Sequence, residues 1–333
     1  MFTLIVMIVI LALVFDFING FHDTANAIAT SISTRALKPR FAVLYAAVLN
    51  FLGAIVSSEV AKTVGGKIAN PANIDGGVEI VIAALVAAIA WNLITWYYGI
   101  PSSSSHTLIG SLAGAVLAGA GAGALNWEGF TQIIAVLILS PIVAFLVGAV
   151  VMFLLKHAIL LTGNRSRSKL SRLFRSLQVV SAGWLAFSHG GNDAQKAMGI
   201  IVFALVAGNY QTDLTVPLWV KLSAALAMGL GTSVGGWRII NTVSKKIMKI
   251  EPANGLASDL TSSLVIQTST AFGQPLSTTH VITSAIIGTG SVIRFKEVKW
   301  GTVGRMVVTW MITIPISMAI AFAVYKAVFG WLF

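Results

Sequence analysis

Hydrophobic positions in this chain neither alternate nor form narrow stripes; they come as long runs separated by short polar connections. Each run is about 20 residues, enough to cross roughly 30 Å of hydrocarbon as a helix. Only helices and closed barrels satisfy their backbone groups in lipid, and these runs lack the period-two alternation of barrel strands. The pattern therefore predicts an all-α polytopic membrane protein. The predicted segments are residues 4–34, 41–60, 79–99, 107–123, 131–155, 179–207, 217–240, 258–273, 276–290 and 303–328, about ten or more membrane-embedded pieces. Met1 to Leu13 lacks a basic start and a small-residue cleavage site, so it reads as the beginning of the first span rather than a signal peptide.

Composition agrees. Of 333 residues, 56% are hydrophobic and 10% charged, with a mean hydropathy of +0.87. Soluble domains carry about a quarter charged residues, so no large soluble domain fits here. Cysteine is absent, which removes disulfides and thiolate metal sites.

The net charge of +11 changes the picture only through where it sits. Basic residues fall in four clusters: Arg35, Lys38 and Arg40; Lys156, Arg165, Arg167, Lys169, Arg172 and Arg175; Arg238, Lys245, Lys246 and Lys249; and Arg294, Lys296, Lys299 and Arg305. The connections at 61–78, 124–130 and 208–216 carry few. Cytoplasmic loops are enriched in Lys and Arg, so the clusters are expected inside, with no nucleic-acid partner. Alternating sides then gives a multi-pass plasma-membrane protein, surrounded by lipid, with both termini outside. The segments near 101 and 275 are compatible with either full crossings or hairpins, because both leave the chain on the same side.

Two stretches repeat. Gly20-Phe21-His22-Asp23-Thr24-Ala25-Asn26-Ala27 matches Gly190-Gly191-Asn192-Asp193-Ala194-Gln195-Lys196-Ala197 at an offset of 170 residues. Pro101-Ser102-Ser103-Ser104-Ser105-His106 matches Pro275-Leu276-Ser277-Thr278-Thr279-His280 at an offset of 174. The expected organisation is a membrane repeat over residues 1–155, a basic cytoplasmic linker over 156–178 and a second repeat over 179–333. An odd number of crossings per half requires the second to be inverted. Inverted repeats with broken or re-entrant helices at matching places are a usual plan of secondary transporters, with the substrate at the repeat interface.

Asp16, Asn19, Asp23, Asn26 and Thr30 share one face of a helix, as do His189, Asp193 and Lys196 in the second half. A carboxylate at bilayer depth costs roughly 2.5–3.5 kcal/mol on insertion scales, so these residues should face a bundle interior or a wet cavity. Gly20, Gly190 and Gly191 would permit a helix break. In the second motif, hydroxyls at Ser103, Ser104 and Ser105 and at Ser277, Thr278 and Thr279 follow a proline and open an apolar run. Free N–H groups at helix starts attract anions, and hydroxyls donate to phosphate oxygens. Capping accounts for one hydroxyl per motif and leaves the others for an oxyanion. Asp23 and Asp193 would repel that anion unless a cation lies between, or unless they accept a hydrogen bond from protonated phosphate. Fully ionised sulfate has no such proton to offer. His22, His106, His189 and His280 all lie in or beside the motifs, as proton relays or as loop-orienting donors.

These motifs resemble the PiT family of inorganic phosphate transporters. The resemblance implies inverted repeats, a homodimer and phosphate symport with sodium or protons, in some members as a metal–phosphate complex, with no other cofactor. It extends a substrate role to Asn26, Asn192, Gln195 and the hydroxyls at 103–105 and 277–279, with Lys196 beside them. It gives a coupling-ion role to Asp23 and Asp193, which are also the candidate metal-binding carboxylates. His22 stands where the family usually has Asn, and Lys196 stands opposite Asn26; these extra basic groups favour protons over sodium. Other readings are a channel, an intramembrane phosphatase using Ser104 or Thr278 as nucleophile, and transport of sulfate or another oxyanion on the same scaffold.

Overall fold

A computed structural model describes residues 1–74, 76–161 and 167–330. Arg165 lies outside the described residues, as do the side chains of Arg167 and Lys245. The described chain forms α1 (Phe2–His22), α2 (Thr24–Ser33), α3 (Pro39–Val56), α4 (Glu59–Gly66), α5 (Gly77–Tyr97), α6 (Ser104–Gly119) and α7 (Trp127–Leu161). It continues with α8 (Arg167–Ala207), α9 (Leu218–Val234), α10 (Trp237–Lys246), α11 (Pro252–Ala271), α12 (Thr278–Arg294) and α13 (Trp300–Phe329).

Among the described residues, five helices are long and apolar enough to cross a membrane, or six if α9 and the start of α10 form one bent span. That pair turns by 71° at Gly235 and Gly236, within the predicted run 217–240. The run 41–60 likewise divides, at Ser57 and Ser58, into α3 and α4. The predicted run 258–273 falls, up to Ala271, in a longer helix that starts at Pro252 behind a capping box of Glu251 and Asn254. Much of the predicted linker is helical, since α7 reaches Leu161 and α8 begins at Arg167.

The motif glycines do not break their helices. α1 runs through Gly20 to His22, α8 passes unbroken through Gly190 and Gly191, and the one interruption falls at Asp23. There the i→i+4 ladder gives way to a tighter bond from Asn26 N–H to the Asp23 carbonyl at 3.0 Å. The glycines allow close helix approach instead. A Cβ on Gly190 would collide with the Asn50 backbone of α3, and one on Gly20 with the Met228 carbonyl of α9.

Packing repeats when elements are exchanged between the halves. α3 packs on α8 as α9 packs on α1, α4 on α8 as α10 on α2, α6 on α13 as α12 on α7, and α5 on α13 as α11 on α7. The close contacts follow suit: Gly53 meets the Phe187 carbonyl as Gly231 meets the Phe17 carbonyl.

Buried apolar residues form two clusters. One holds Ile8, Ala12 and Phe15 of α1, most of α5 and α6, and Ala197 to Val206 of α8. The other holds Ala25 to Ala29 of α2, Ala182 to Ala186 of α8, and Val281 to Ile287 of α12. Going along α1 and α2 the chain passes from the first cluster to the second, and along α8 from the second to the first. A polar layer lies between them. It contains Asp16 to Thr24, Ser102 to Thr107, Ser188 to Lys196 and Ser277 to His280. α6 leaves this layer into the first cluster, whereas α12 leaves it into the second. Apolar side chains such as Val6, Leu44, Leu146, Val150, Leu226 and Met311 are exposed, as a lipid-facing surface requires.

Candidate functional site

All sixteen candidate site residues lie in the polar layer or at its edge, none more than 4% exposed. Burying this many polar groups is tolerable only if they bond one another or a ligand.

Each motif carboxylate is held by the second motif of its own half. Asp23 Oδ2 accepts from the Ser104 hydroxyl at 2.6 Å, and Asp193 Oδ2 accepts from the Thr278 hydroxyl at 2.9 Å. The other oxygen of each faces a basic group. His22 Nδ1 lies 2.6 Å from Asp23 Oδ1, and Lys196 Nζ donates to Asp193 Oδ1. His189 Nε2 is 3.3 Å from Asp193 Oδ2, and its Nδ1 is 2.9 Å from Asn50 Oδ1.

Contacts also join the halves. The rings of His106 and His280 are 4.4 Å apart, so the starts of α6 and α12 meet. Asn26 donates to Thr279 Oγ1 at 2.9 Å, and Ser105 to the Leu276 carbonyl at 2.8 Å. Ser103 and Ser277 are the N-caps, accepting from the backbone N–H of His106 and His280 at 3.1 and 3.2 Å. One hydroxyl per motif thus caps, as expected, and two helix N-termini direct positive potential at the same region. Trp310 stacks on His280 at 4.0 Å and donates to the Pro101 carbonyl.

Gln195, a candidate substrate ligand, bonds backbone groups. Its Oε1 accepts from the backbone N–H groups of Val60 and Ala61 at the start of α4, and its Nε2 donates to the Gly191 carbonyl. All of its bonds go to backbone, so it fixes α4 against α8.

Several participants escaped the sequence reading. Thr95 at the end of α5 lies 3.2 Å from His22 Nε2, and Thr270 at the end of α11 accepts from Asn192 Nδ2 at 2.9 Å. They are counterparts, each a few residues before its Pro motif, and the repeat offset could have found them. Asn50 and Thr232, which bond each other at 3.2 Å, lie in apolar runs outside the repeated motifs. Further from the centre, Asp259 accepts from Thr30 at 2.6 Å and Gln178 at 3.1 Å. Some buried atoms have no hydrogen-bond partner in the protein, the side-chain oxygens of Asn26 and Asn192 among them.

A nucleophile–base pair does not form at either motif hydroxyl, since Ser104 and Thr278 donate to carboxylates rather than to histidines. The serine–histidine arrangement of a hydrolase is therefore not formed at either hydroxyl.

The comparisons agree. Over 330 residues the chain is 54% identical to a probable low-affinity inorganic phosphate transporter of Bacillus subtilis (strain 168), covering 98% of each. It is 40% identical to a protein of the same description from Rhizobium meliloti (strain 1021), over 98% of this chain and 97% of the other. In fold it is similar to a solved structure described as the sodium-dependent phosphate transporter, with a TM-score of 0.87, 24% identity and 98% coverage of each chain. Residues 19–321 match the model of the phosphate transporter family, and the chain belongs to that family.

Proposed function

We propose that this protein imports inorganic phosphate, free or as a metal–phosphate complex, by symport with a cation, protons being favoured over sodium. It acts in the plasma membrane as a homodimer in lipid. The observation that carries this reading is the matched pair Asp23–Ser104 and Asp193–Thr278, brought into one buried layer where α6 and α12 begin. An oxyanion seated there would gain from both helix N-termini, from the motif hydroxyls and amides, and from Lys196. The carboxylates select a protonated phosphate by accepting its P–O–H, a bond that sulfate cannot replace.

Two halves of inverted topology make this site. The exchanged packing supports the relation, as do the opposite directions of α1–α2 and α8 between the two apolar clusters. Because the starts of α6 and α12 touch, they cannot lie on opposite membrane faces, so each pair α5–α6 and α11–α12 dips to mid-depth and returns. Six crossings and four hairpin limbs then complete the ten embedded segments, with an occluded centre. In this topology a reporter fused at Ser168 reads cytoplasmic and one at Asn73 external. The same side for both would break the inverted arrangement.

Radiolabelled phosphate uptake by proteoliposomes, with proton and sodium gradients imposed separately, tests the function. A proton gradient should drive accumulation, and excess sulfate should not compete. No accumulation under either gradient, or equal competition by sulfate, would remove the reading.

A further inference from the structure

The two first motifs are not identical, and their differences are complementary. The position before the carboxylate is His22 in one half and Asn192 in the other; the position three after it is Asn26 in one half and Lys196 in the other. At these two positions each half thus keeps one amide and has one base, in opposite places, and Asp193 has His189 as well, 3.3 Å from its Oδ2. In both halves the base reaches the same atom of the motif, Oδ1 of its aspartate: His22 beside Asp23, and Lys196 on Asp193. Oδ2 of each is taken by a hydroxyl. The remaining amides, Asn26 and Asn192, are fully buried and have side-chain oxygens without a protein partner.

Carboxylate, amide and hydroxyl oxygens are what hard cations select. A pair of amides around each aspartate, with the hydroxyl of Ser104 or Thr278, would offer such a set. Here one amide of each set is replaced by a base that contacts the carboxylate itself. We infer that Lys196, and His22 when it carries a proton, are tethered cations occupying the seats of free coupling cations, and that they determine this transporter's ion specificity by making sodium dispensable. The inference rests on the symport reading above. A buried aspartate needs a positive partner, and a tethered base provides one without a bound ion. Lys196 is the stronger case. Its side chain is wholly buried, and Asp16, a second buried carboxylate, lies within electrostatic reach of it and of Asp193. No free cation can share that place without displacing the ammonium.

The test restores the amides. His22→Asn, Lys196→Asn and the double variant are purified beside the wild type, and phosphate uptake is measured with sodium or with choline on both sides. Wild-type uptake should agree within about twofold between the two media, while Lys196→Asn should run about tenfold faster in sodium, and the double variant should show the larger ratio. Lys196→Arg keeps a tethered charge, so whatever uptake it retains should ignore sodium. Where uptake is too weak to read, sodium chloride should raise the melting temperature of the Asn variants in detergent but not that of the wild type. If Lys196→Asn does not insert, Lys196→Gln takes its place in both measurements. A sodium-dependent wild type would overturn the inference, as would inserted Asn or Gln variants indifferent to sodium in uptake and melting. A wild type that moves no phosphate under any gradient would instead remove the transport reading, and the melting shift would still decide this one.

Discussion

Replacing Asp193 with asparagine should reduce coupled phosphate uptake at least about a hundredfold and should also destabilise the protein, whereas Asp23→Asn should match the first effect and show far less of the second. The loss of uptake follows from the shared role of the carboxylates. Each is the acceptor for a hydroxyl at the start of α6 or α12 and the charge that answers a basic side chain. On the proposed reading, losing one leaves the anion site without its selective acceptor and its coupling group; a bond to a charged group is worth about 1.5–3 kcal/mol, so two such losses exceed a hundredfold. The difference in stability follows from the partners. Removing one member of a buried ion pair costs about 3–5 kcal/mol, because the other charge stays uncompensated. Lys196 is fully buried with Asp193 as its direct counter-ion, while His22 can stay neutral and keep Thr95 as a partner. Melting in detergent should therefore fall more in Asp193→Asn than in Asp23→Asn. Asp193→Asn combined with Lys196→Met should recover melting without recovering uptake. Wild-type uptake in either single variant would assign that aspartate a merely structural role.

The second large effect concerns the hydroxyls. Ser104→Ala and Thr278→Ala should each weaken phosphate binding about ten- to a hundredfold, the value of a lost hydrogen bond to a charged group. The structure gives these hydroxyls a specific task, since both donate to the motif aspartates. Without them each carboxylate keeps its basic partner but loses the bond that holds Oδ2 at the helix N-terminus. Because the starts of α6 and α12 are in contact through His106 and His280, the two losses act on one ligand and should not add. Phosphate affinity in a double-mutant cycle measures the coupling. Clean additivity, or one silent substitution, would mean that the motifs serve separate sites and that a single central site has to be given up.

Much of this protein was determined by its sequence alone. Apolar runs too long for a soluble core settled the membrane class, and the repeated Gly-x-His/Asn-Asp and Pro-x-Ser motifs marked both elements that line the polar layer. Those features are local, since hydropathy and composition act residue by residue on transfer into lipid. Contacts between distant residues were decided only in the tertiary structure. Loop charge could not distinguish a crossing from a hairpin, because both return the chain to the same side; the ring contact of His106 and His280 bears on it directly. The motif glycines permitted a hinge by sequence, yet Gly190 is packed against Asn50 and Gly20 against Met228, so they serve close helix approach and the helices run on through them. Gln195 matched a binding motif, but the backbone of α4, more than a hundred residues earlier, takes its amide. Thr95 and Thr270 entered the site only when their helices delivered them to it. A buried polar group is defined by what lies opposite, and the one-dimensional pattern does not contain the opposite side.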